Sequence, residues 1–188
     1  RSAGPGAGTR PVAHARADQV LRAPRGRARQ MNAGAAAASG SLLLFLHADT
    51  QLPPDADGLV HRALAGGAHW GRFDVRIQGR PWMLRVVATL MNWRSRWSGI
   101  ATGDQALFMT RAAFEAVGGF PDQPLMEDIE VCKRLRALGP PACLRQKVLT
   151  SGRRWESRGV WRTIFLMWRL RWRYWRGESA QSIAEAYR

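Results

Sequence analysis

Acidic residues and lysines are scarce in this chain of 188 residues. It has 14 Asp and Glu residues against 29 Lys and Arg, which gives a formal net charge of +15. Lys133 and Lys147 are the only lysines, so arginine carries nearly all of the positive charge. This balance predicts attraction to polyanions, anionic lipid or phosphorylated substrates, although genomic base composition is a second explanation for the arginines.

Cysteines and long apolar runs are scarce as well. Cys132 and Cys143 are the only cysteines and lack metal-binding spacing, which fits free thiols in a reducing compartment. No uncharged apolar run reaches the roughly 18 residues of a transmembrane helix. The first residues lack the apolar centre of a signal peptide. We therefore expect a cytoplasmic location, with at most peripheral contact at the inner face of the membrane.

The most informative stretch is Ser41–Thr50, with the sequence SLLLFLHADT. Its five consecutive apolar residues predict a strand buried on both faces, as at the centre of a parallel sheet. The strand leads directly into His47 and Asp49, and ligands of open parallel sheets bind at such carboxyl ends. Asp49 is therefore a candidate for holding a cation, and capping of the turn Thr50–Pro53 is an equally good explanation.

The remaining pattern alternates strands and helices, which predicts an α/β layered domain. Strands are expected at 70–77, with one face exposed, at 106–109 and at 144–149. Helices are expected at 28–39, 54–65, 81–97, 110–117, 126–138, 160–176 and 179–187. Residues 13–21 fit either a short helix or a short strand.

Polar clusters follow several of these elements. Residues 27–34 place arginines at a helix start, which suits a diphosphate, although a solvated basic loop explains them too. Residues 102–105 (Thr-Gly-Asp-Gln) precede a short strand, where Asp104 could bind hydroxyls or the segment could simply be a turn. Residues 151–155 place two arginines beside a Trp. They could bind a phosphate or stack on a sugar, or they could be exposed surface residues without a binding role.

A further cluster is acidic. Glu127, Asp128 and Glu130 lie at the start of a predicted helix. Acids at this position stabilise a helix through its dipole, and this structural role is sufficient to explain their presence. The functional alternative is that one carboxylate removes a proton from an acceptor hydroxyl.

Taken in order, these clusters resemble one family. The series of motifs is similar to that of a family 2 glycosyltransferase. Its members in this chain are Gln30-x-Asn32-x-Gly34, the Leu44–Thr50 run ending in His-Ala-Asp-Thr, Gly103-Asp104-Gln105, Gly118-Gly119-Phe120, Pro124–Asp128 and Arg153-Arg154-Trp155. The match is closest to a bacterial glycosyltransferase-like subgroup. The resemblance implies a GT-A-like (Rossmann-like), mostly parallel sheet flanked by helices.

The resemblance also implies roles for individual residues. Asp49 matches the last acid of the family's Asp-x-Asp metal motif, and His47 stands where the first acid is usual, so a divalent Mg²⁺ or Mn²⁺ is implied. Asp128, beside Glu127, matches the general base of an inverting transfer from a nucleotide-sugar donor to an acceptor hydroxyl. The nucleotide would lie at Arg27, Gln30 and Asn32. The sugar or acceptor would meet Asp104, Gln105, Arg154 and Trp155, although the Gln of the family's Gln-x-x-Arg-Trp motif is absent.

The family's opening strands, which hold the nucleotide base, have no clear counterpart in this sequence. We therefore expect residues 1–25 to be a poorly structured remnant of that segment, 26–158 the catalytic domain, and 159–188 C-terminal amphipathic helices. A catalytically inactive, N-terminally truncated remnant is the first alternative function. A basic nucleic-acid-binding protein is the second, but no such motif occurs and we expect no nucleic-acid partner.

The C-terminal segment 160–176 mixes Trp with Arg. Ile164, Phe165, Trp168, Trp172 and Trp175 share one helical face. This pattern fits a helix that lies on an anionic membrane, which would also suit a lipid-linked acceptor. The alternative is that the Trp face packs on the domain and only the arginines are exposed.

Overall fold

A computed structural model of the chain describes residues 19–187, which form a mixed α/β fold of the GT-A-like kind. The strands are β1 (Leu42–Phe45), β2 (Thr50–Gln51), β3 (Trp70–Gln78), β4 (Leu107–Thr110) and β5 (Ala142–Ser151). The helices are α1 (Arg27–Ala37), α2 (Ala56–Ala65), α3 (Met83–Ser98), α4 (Arg111–Ala116), α5 (Glu127–Leu135), α6 (Arg153–Arg158), α7 (Val160–Trp175) and α8 (Ala180–Tyr187). A short 3₁₀ turn spans Gly103–Gln105.

Most elements confirm the predictions from periodicity, and their ends follow local signals. Thr110 caps α4, because its hydroxyl accepts a hydrogen bond from the Ala113 amide at 3.1 Å. β2 and α6 were not predicted. The interpretation of residues 13–18 lies outside the described residues, as does most of the predicted 1–25 segment.

The sheet is mixed, and the prediction of a mostly parallel sheet is wrong in this respect. Its strand order is β1-β4-β3-β5-β2. Only β3 and β5 run parallel, whereas β4 is antiparallel to both β1 and β3, and β2 is antiparallel to β5. β4 enters between β1 and β3 in the opposite direction, and the helical pattern that precedes it gives no sign of this reversal.

β1 is an edge strand of the sheet formed by the described residues, not its centre. Leu43 points into a core shared with α1, α4 and α5. Leu42 and Leu44 point to the opposite core, where α2, α3 and the start of α7 pack. The run is apolar because helices cover both faces of the sheet, and this condition does not require a central or parallel position.

β3 is more buried than its alternation predicts. Arg72 and Asp74 were expected on an exposed face, but both are buried and paired with each other. Arg96 of α3 joins the pair, with its Nη2 3.1 Å from Asp74 Oδ1. Buried charges need such partners, and an alternating charged strand cannot reveal that its opposite face is also covered.

Candidate active site

The site is built at one end of the sheet by four separate segments. They are the loop after β1, the start of α1, the 3₁₀ turn before β4, and the start of α5. A small pocket between them is lined by His47, Gly103, Glu127 and Asp128, together with apolar residues. We call these four residues and Asp104 the acid cluster.

Asp128 is held by backbone donors. Its Oδ2 accepts a hydrogen bond from the Gly103 amide at 3.1 Å, and its Oδ1 accepts one from the Ile129 amide at 2.8 Å. Burial nevertheless raises the pKa of the Asp128 carboxyl above its ordinary value, against the opposing effect of these hydrogen bonds and of Arg27. A carboxyl with a raised pKa is better suited to accept a proton near neutral pH.

Glu127 is almost completely buried beside Asp128. Its Oε1 lies 2.8 Å from Nε of Arg27, while Oε2 is buried without a hydrogen-bond partner among the described residues. Burial raises the pKa of the Glu127 carboxyl, the neighbouring Asp128 charge adds to this, and Arg27 opposes it. Two carboxyls of raised pKa side by side are typical of functional sites.

His47 and Asp104 meet across the cluster. His47 Nδ1 lies 3.3 Å from Asp104 Oδ1, and this hydrogen bond raises the pKa of His47 despite partial burial of the ring. The imidazole also packs directly against Gly103, where an added Cβ would overlap the ring. The 3₁₀ turn is thereby fixed between His47 on one side and Asp128 on the other.

Backbone strain is concentrated next to the acid cluster. Among the described residues, the non-glycine positions with positive φ are Asp55, Ala106 (φ 47°) and Met126 (φ 66°). Ala106 ends the 3₁₀ turn and Met126 directly precedes Glu127. Residues held in this region cost about 1–3 kcal/mol each and are typical of active sites.

An open groove runs from the acid cluster along β1, at the edge of the sheet formed by the described residues. It has a volume of about 790 Å³ and is lined by Arg27, Gln30, His47 and Asp49, among others. We call it the edge groove. His47 lines both the groove and the small pocket of the acid cluster, and Arg27 lines the groove and is bonded to Glu127, so a ligand in the groove would end beside the acid cluster.

Asp49 lies at the mouth of the edge groove. Its side chain is exposed, and its carbonyl accepts a hydrogen bond from the Ser151 amide at 3.2 Å. This contact brings the predicted Ser151–Trp155 segment next to Asp49. Among residues 19–187, no group of three or more His, Cys, Asp and Glu side chains is arranged to hold a metal ion. Metal binding by Asp49 and His47 stays a prediction.

Two of the predicted binding residues make their contacts inside the protein. Asn32 exchanges hydrogen bonds with the backbone of Phe120, at 2.8 and 3.0 Å, and so ties α1 to the Gly118–Phe120 turn. Gln105 is fully buried, and its Nε2 donates to Ser95 Oγ at 3.1 Å while its Oε1 accepts from the Thr102 amide. Both side chains therefore hold neighbouring segments together, and ligand binding by either of them stays a prediction.

The Arg154–Trp155 pair lies apart from the acid cluster. The Arg154 guanidinium bonds the Tyr187 hydroxyl and stacks on its ring, 5.2 Å from the centroid. Trp155 packs against the core cluster beneath α3. The structure therefore brings together Arg27, His47, Asp104, Glu127 and Asp128, with Gln30 and Asp49 along the groove, and leaves Arg154 and Trp155 outside.

Sequence reasoning missed Arg94. This side chain of α3 is largely buried near Asp128 and Cys132, and burial lowers the pKa of its guanidinium. Its Nε and Nη2 have no hydrogen-bond partner among the described residues. The signal was present, because Arg94 is three residues after Met91 and seven after Val87 and so shares their inward face.

The comparisons with known proteins identify the family of the chain. No curated protein and no solved structure matches the chain. The family model described as glycosyl transferase family 2 matches residues 16–116, which is more than half of the chain and includes the edge groove, His47, Asp49 and Asp104. The chain belongs to glycosyl transferase family 2.

Proposed function

We propose that the protein is an inverting glycosyltransferase that uses a nucleotide-sugar donor and a hydroxyl acceptor. The observation that carries this proposal is the placement of Asp128. Its carboxyl is half-buried, has a raised pKa, and lines a small pocket together with His47, which also lines the groove beside Arg27. A base beside an anion-binding groove is what transfer from a sugar diphosphate requires.

The donor diphosphate occupies the edge groove in this proposal. Arg27 and Gln30 of the first turn of α1 face the groove, and arginine forks suit phosphate oxygens. Arg27 bridges to Glu127, so the diphosphate and the acid pair share one guanidinium. Asn32 acts indirectly, by holding α1 against Phe120.

A divalent cation fits this groove in one way. The Asp49 carboxylate is exposed at the groove, and no described residue donates a hydrogen bond to it. Mg²⁺ commonly uses one or two carboxylates together with substrate phosphates. Asp49, with His47 beside it, would hold the ion, which when bound would neutralise charge on the departing diphosphate.

The chemical step assigned to this chain is proton removal. The acceptor O–H loses its proton to Asp128 as the oxygen forms a bond to the anomeric carbon. The bond from that carbon to the phosphate oxygen breaks on the opposite face, and the nucleoside diphosphate leaves with the electron pair. Asp104, held by His47 at the rim of the cluster, is placed to bind a hydroxyl of the sugar or acceptor.

Two finer parts of the proposal concern the acceptor and the location. We infer that the acceptor is lipid-linked and that the protein works at the cytoplasmic membrane face, with Arg154 and Trp155 towards the acceptor side. The support is that Trp161, Trp168, Trp172 and Trp175 of α7 are exposed. No described helix is long and apolar enough to cross a bilayer.

The experiment compares Asp128→Asn with Asp57→Asn, the same change at an exposed acid of α2. Binding of uridine and guanosine diphosphates with Mn²⁺ is measured by calorimetry. Turnover is measured as nucleoside diphosphate released from nucleotide sugars in the presence of a lipid extract. We expect Asp128→Asn to lower kcat by roughly 10²–10⁴-fold with unchanged diphosphate binding, and Asp57→Asn to change neither.

Three results would contradict the proposal. Unchanged turnover of Asp128→Asn removes the assigned base. Absence of binding to every nucleoside diphosphate favours the catalytically inactive remnant. Salt-dependent retention on a mixed oligonucleotide without diphosphate binding favours a nucleic-acid partner instead.

A further inference from the structure

α7 carries a row of exposed aromatic side chains. Trp161, Phe165, Trp168, Trp172 and Trp175 recur every three or four residues and therefore lie on one side of the helix. Between 57% and 75% of each is exposed. The helix packs on the domain through a different side, which includes Thr163 and Leu170. The alternative in which the Trp face packs on the domain is therefore wrong.

α3 carries a second row that the sequence pattern did not reveal. Val86, Leu90, Trp93 and Trp97 follow the same spacing, and Trp82 precedes them by one turn. Trp82, Trp93 and Trp97 are 70%, 66% and 83% exposed. The outer face of this helix is therefore mainly aromatic and aliphatic, with Arg85 and Arg96 exposed beside the row.

The two helices are supported by the same part of the core. Leu84 and Val87 of α3 belong to the cluster against which Val160 and Ile164 of α7 also pack. Trp155, just before α7, packs on this cluster as well. Both helices therefore pack on the same core cluster, and the exposed rows take no part in that packing.

Positive charge flanks both rows and negative charge is absent from them. The stretches 79–103 and 159–177 contain no Asp or Glu. Arg162, Arg169 and Arg176, each seven residues apart, run along one side of the α7 row and are exposed. Arg80 and Arg85 are exposed beside the α3 row. A contiguous row of exposed apolar side chains on a protein surface marks an interaction site. The positive charge of the flanking arginines favours an anionic partner.

We propose that the rows on α3 and α7 together form a docking surface for an anionic lipid bilayer. Trp side chains place an apolar ring and a polar N–H at the boundary between headgroups and acyl chains, and flanking arginines bind lipid phosphates. A protein partner would instead need an apolar groove that is complementary to the Trp rings of this chain. The positive charge around the rows gives no reason to expect such a groove. This inference does not depend on the proposed activity, since its test needs no donor or acceptor.

The test measures co-sedimentation of the full chain with vesicles of phosphatidylcholine, alone or mixed with phosphatidylglycerol. We expect binding to the mixed vesicles that weakens with salt, and quenching of Trp fluorescence by brominated lipid. Trp168→Ala with Trp172→Ala, and separately Trp93→Ala with Trp97→Ala, should each lower the partition coefficient by about tenfold or more. Circular dichroism checks that the variants stay folded.

Charge variants separate this surface from the general effect of a basic protein. Arg162→Gln with Arg169→Gln should lower partitioning roughly 25-fold, at about 1 kcal/mol per arginine near the surface. Arg145→Gln with Lys147→Gln removes the same charge from exposed positions on β5 and should change it little.

Several results would overturn the inference. Equal losses in the two charge variants would mean attraction by net charge alone. An effect of the α7 Trp pair without one of the α3 pair would reduce the surface to a single helix. Absence of vesicle binding would contradict the inference. If the chain instead forms a dimer or an oligonucleotide complex that the Trp variants no longer form, the rows bind that other partner.

Discussion

The His47 imidazole lies so close to Gly103 that a Cβ on residue 103 would overlap Nε2 and Cε1 of the ring. The same glycine donates its amide to Asp128, and the same histidine contacts Asp104. One glycine therefore sets the spacing between the loop after β1 and the acids of the candidate site.

Gly103→Ala tests this relationship. The added methyl should push the His47 ring away and shift the residue 103 amide that donates a hydrogen bond to Asp128. We expect a loss of about 1–3 kcal/mol in unfolding free energy. His47→Ala should remove the overlap, so the double variant should recover part of the loss. Urea denaturation of the four proteins gives the coupling energy.

Gly34→Ala is the control for this cycle. Gly34 lies within α1 and no atom of residues 19–187 lies within 4 Å of the position of its Cβ, so alanine there should stabilise the chain by about 0.5–1 kcal/mol. A purely additive double variant of residues 47 and 103 would show that the packing contact has no energetic weight.

Asp104→Asn should lower the pKa of His47, because the hydrogen bond to Asp104 is the main cause of its raised value. A raised histidine pKa gives stability that is fully present below the ordinary value of about 6.5 and is lost as pH rises through the folded pKa. Asp104→Asn should therefore destabilise the protein more at pH 5 than at pH 9. Titration of the His47 ring by NMR measures the shift directly, with His61 as an internal control.

Glu127→Gln should become more stable relative to the native protein as pH rises. Burial raises the pKa of Glu127 in the folded protein above its ordinary value of 4.5. The native protein therefore loses stability as pH rises from 4.5 to the pKa of the folded state. The variant lacks this penalty. Thermal unfolding between pH 4 and pH 8 measures the difference.

Asp122→Asn is the control of opposite sign. Arg29 lowers the pKa of Asp122, so the native carboxylate contributes stability above its ordinary value of 3.8, and this is lost as pH falls through the folded pKa. The Asp122 variant should thus be less stable than the native protein above pH 3.8, and the difference should shrink as pH falls below that value. The same trend in both variants would contradict the assigned causes.

Asn92→Ala tests the buried network beneath the 3₁₀ turn. The Asn92 amide bonds both the N–H and the C=O of Val75, at 2.8 and 3.0 Å, and its oxygen accepts from Gln105. Removing it leaves buried backbone groups and Gln105 unpaired, which should cost about 1–3 kcal/mol. Thr89→Ala, on the exposed side of the same helix, should change stability by less than about 0.5 kcal/mol. Equal effects would show that the network contributes nothing specific.

Local pattern determined a large part of this protein. Periodicity located α3, β3 and α7, and Thr110 marked the start of α4, because helical and strand spacing and capping act over a few residues. The order of short motifs from Gln30 to Trp155 identified the family, since each motif is set by local chemistry. The same motifs singled out His47, Asp104, Glu127 and Asp128, which the fold brings together.

Tertiary structure alone decided the rest. The direction of β4 made the sheet mixed, because an apolar strand reads the same whether its neighbours are parallel or antiparallel. Arg72 and Asp74 are buried because the second face of β3 is covered by α3, and no residue within β3 encodes that cover. The Trp rows of α3 and α7 face outward because the core is filled by other residues, and only the packed molecule determines which face of an amphipathic helix is left over.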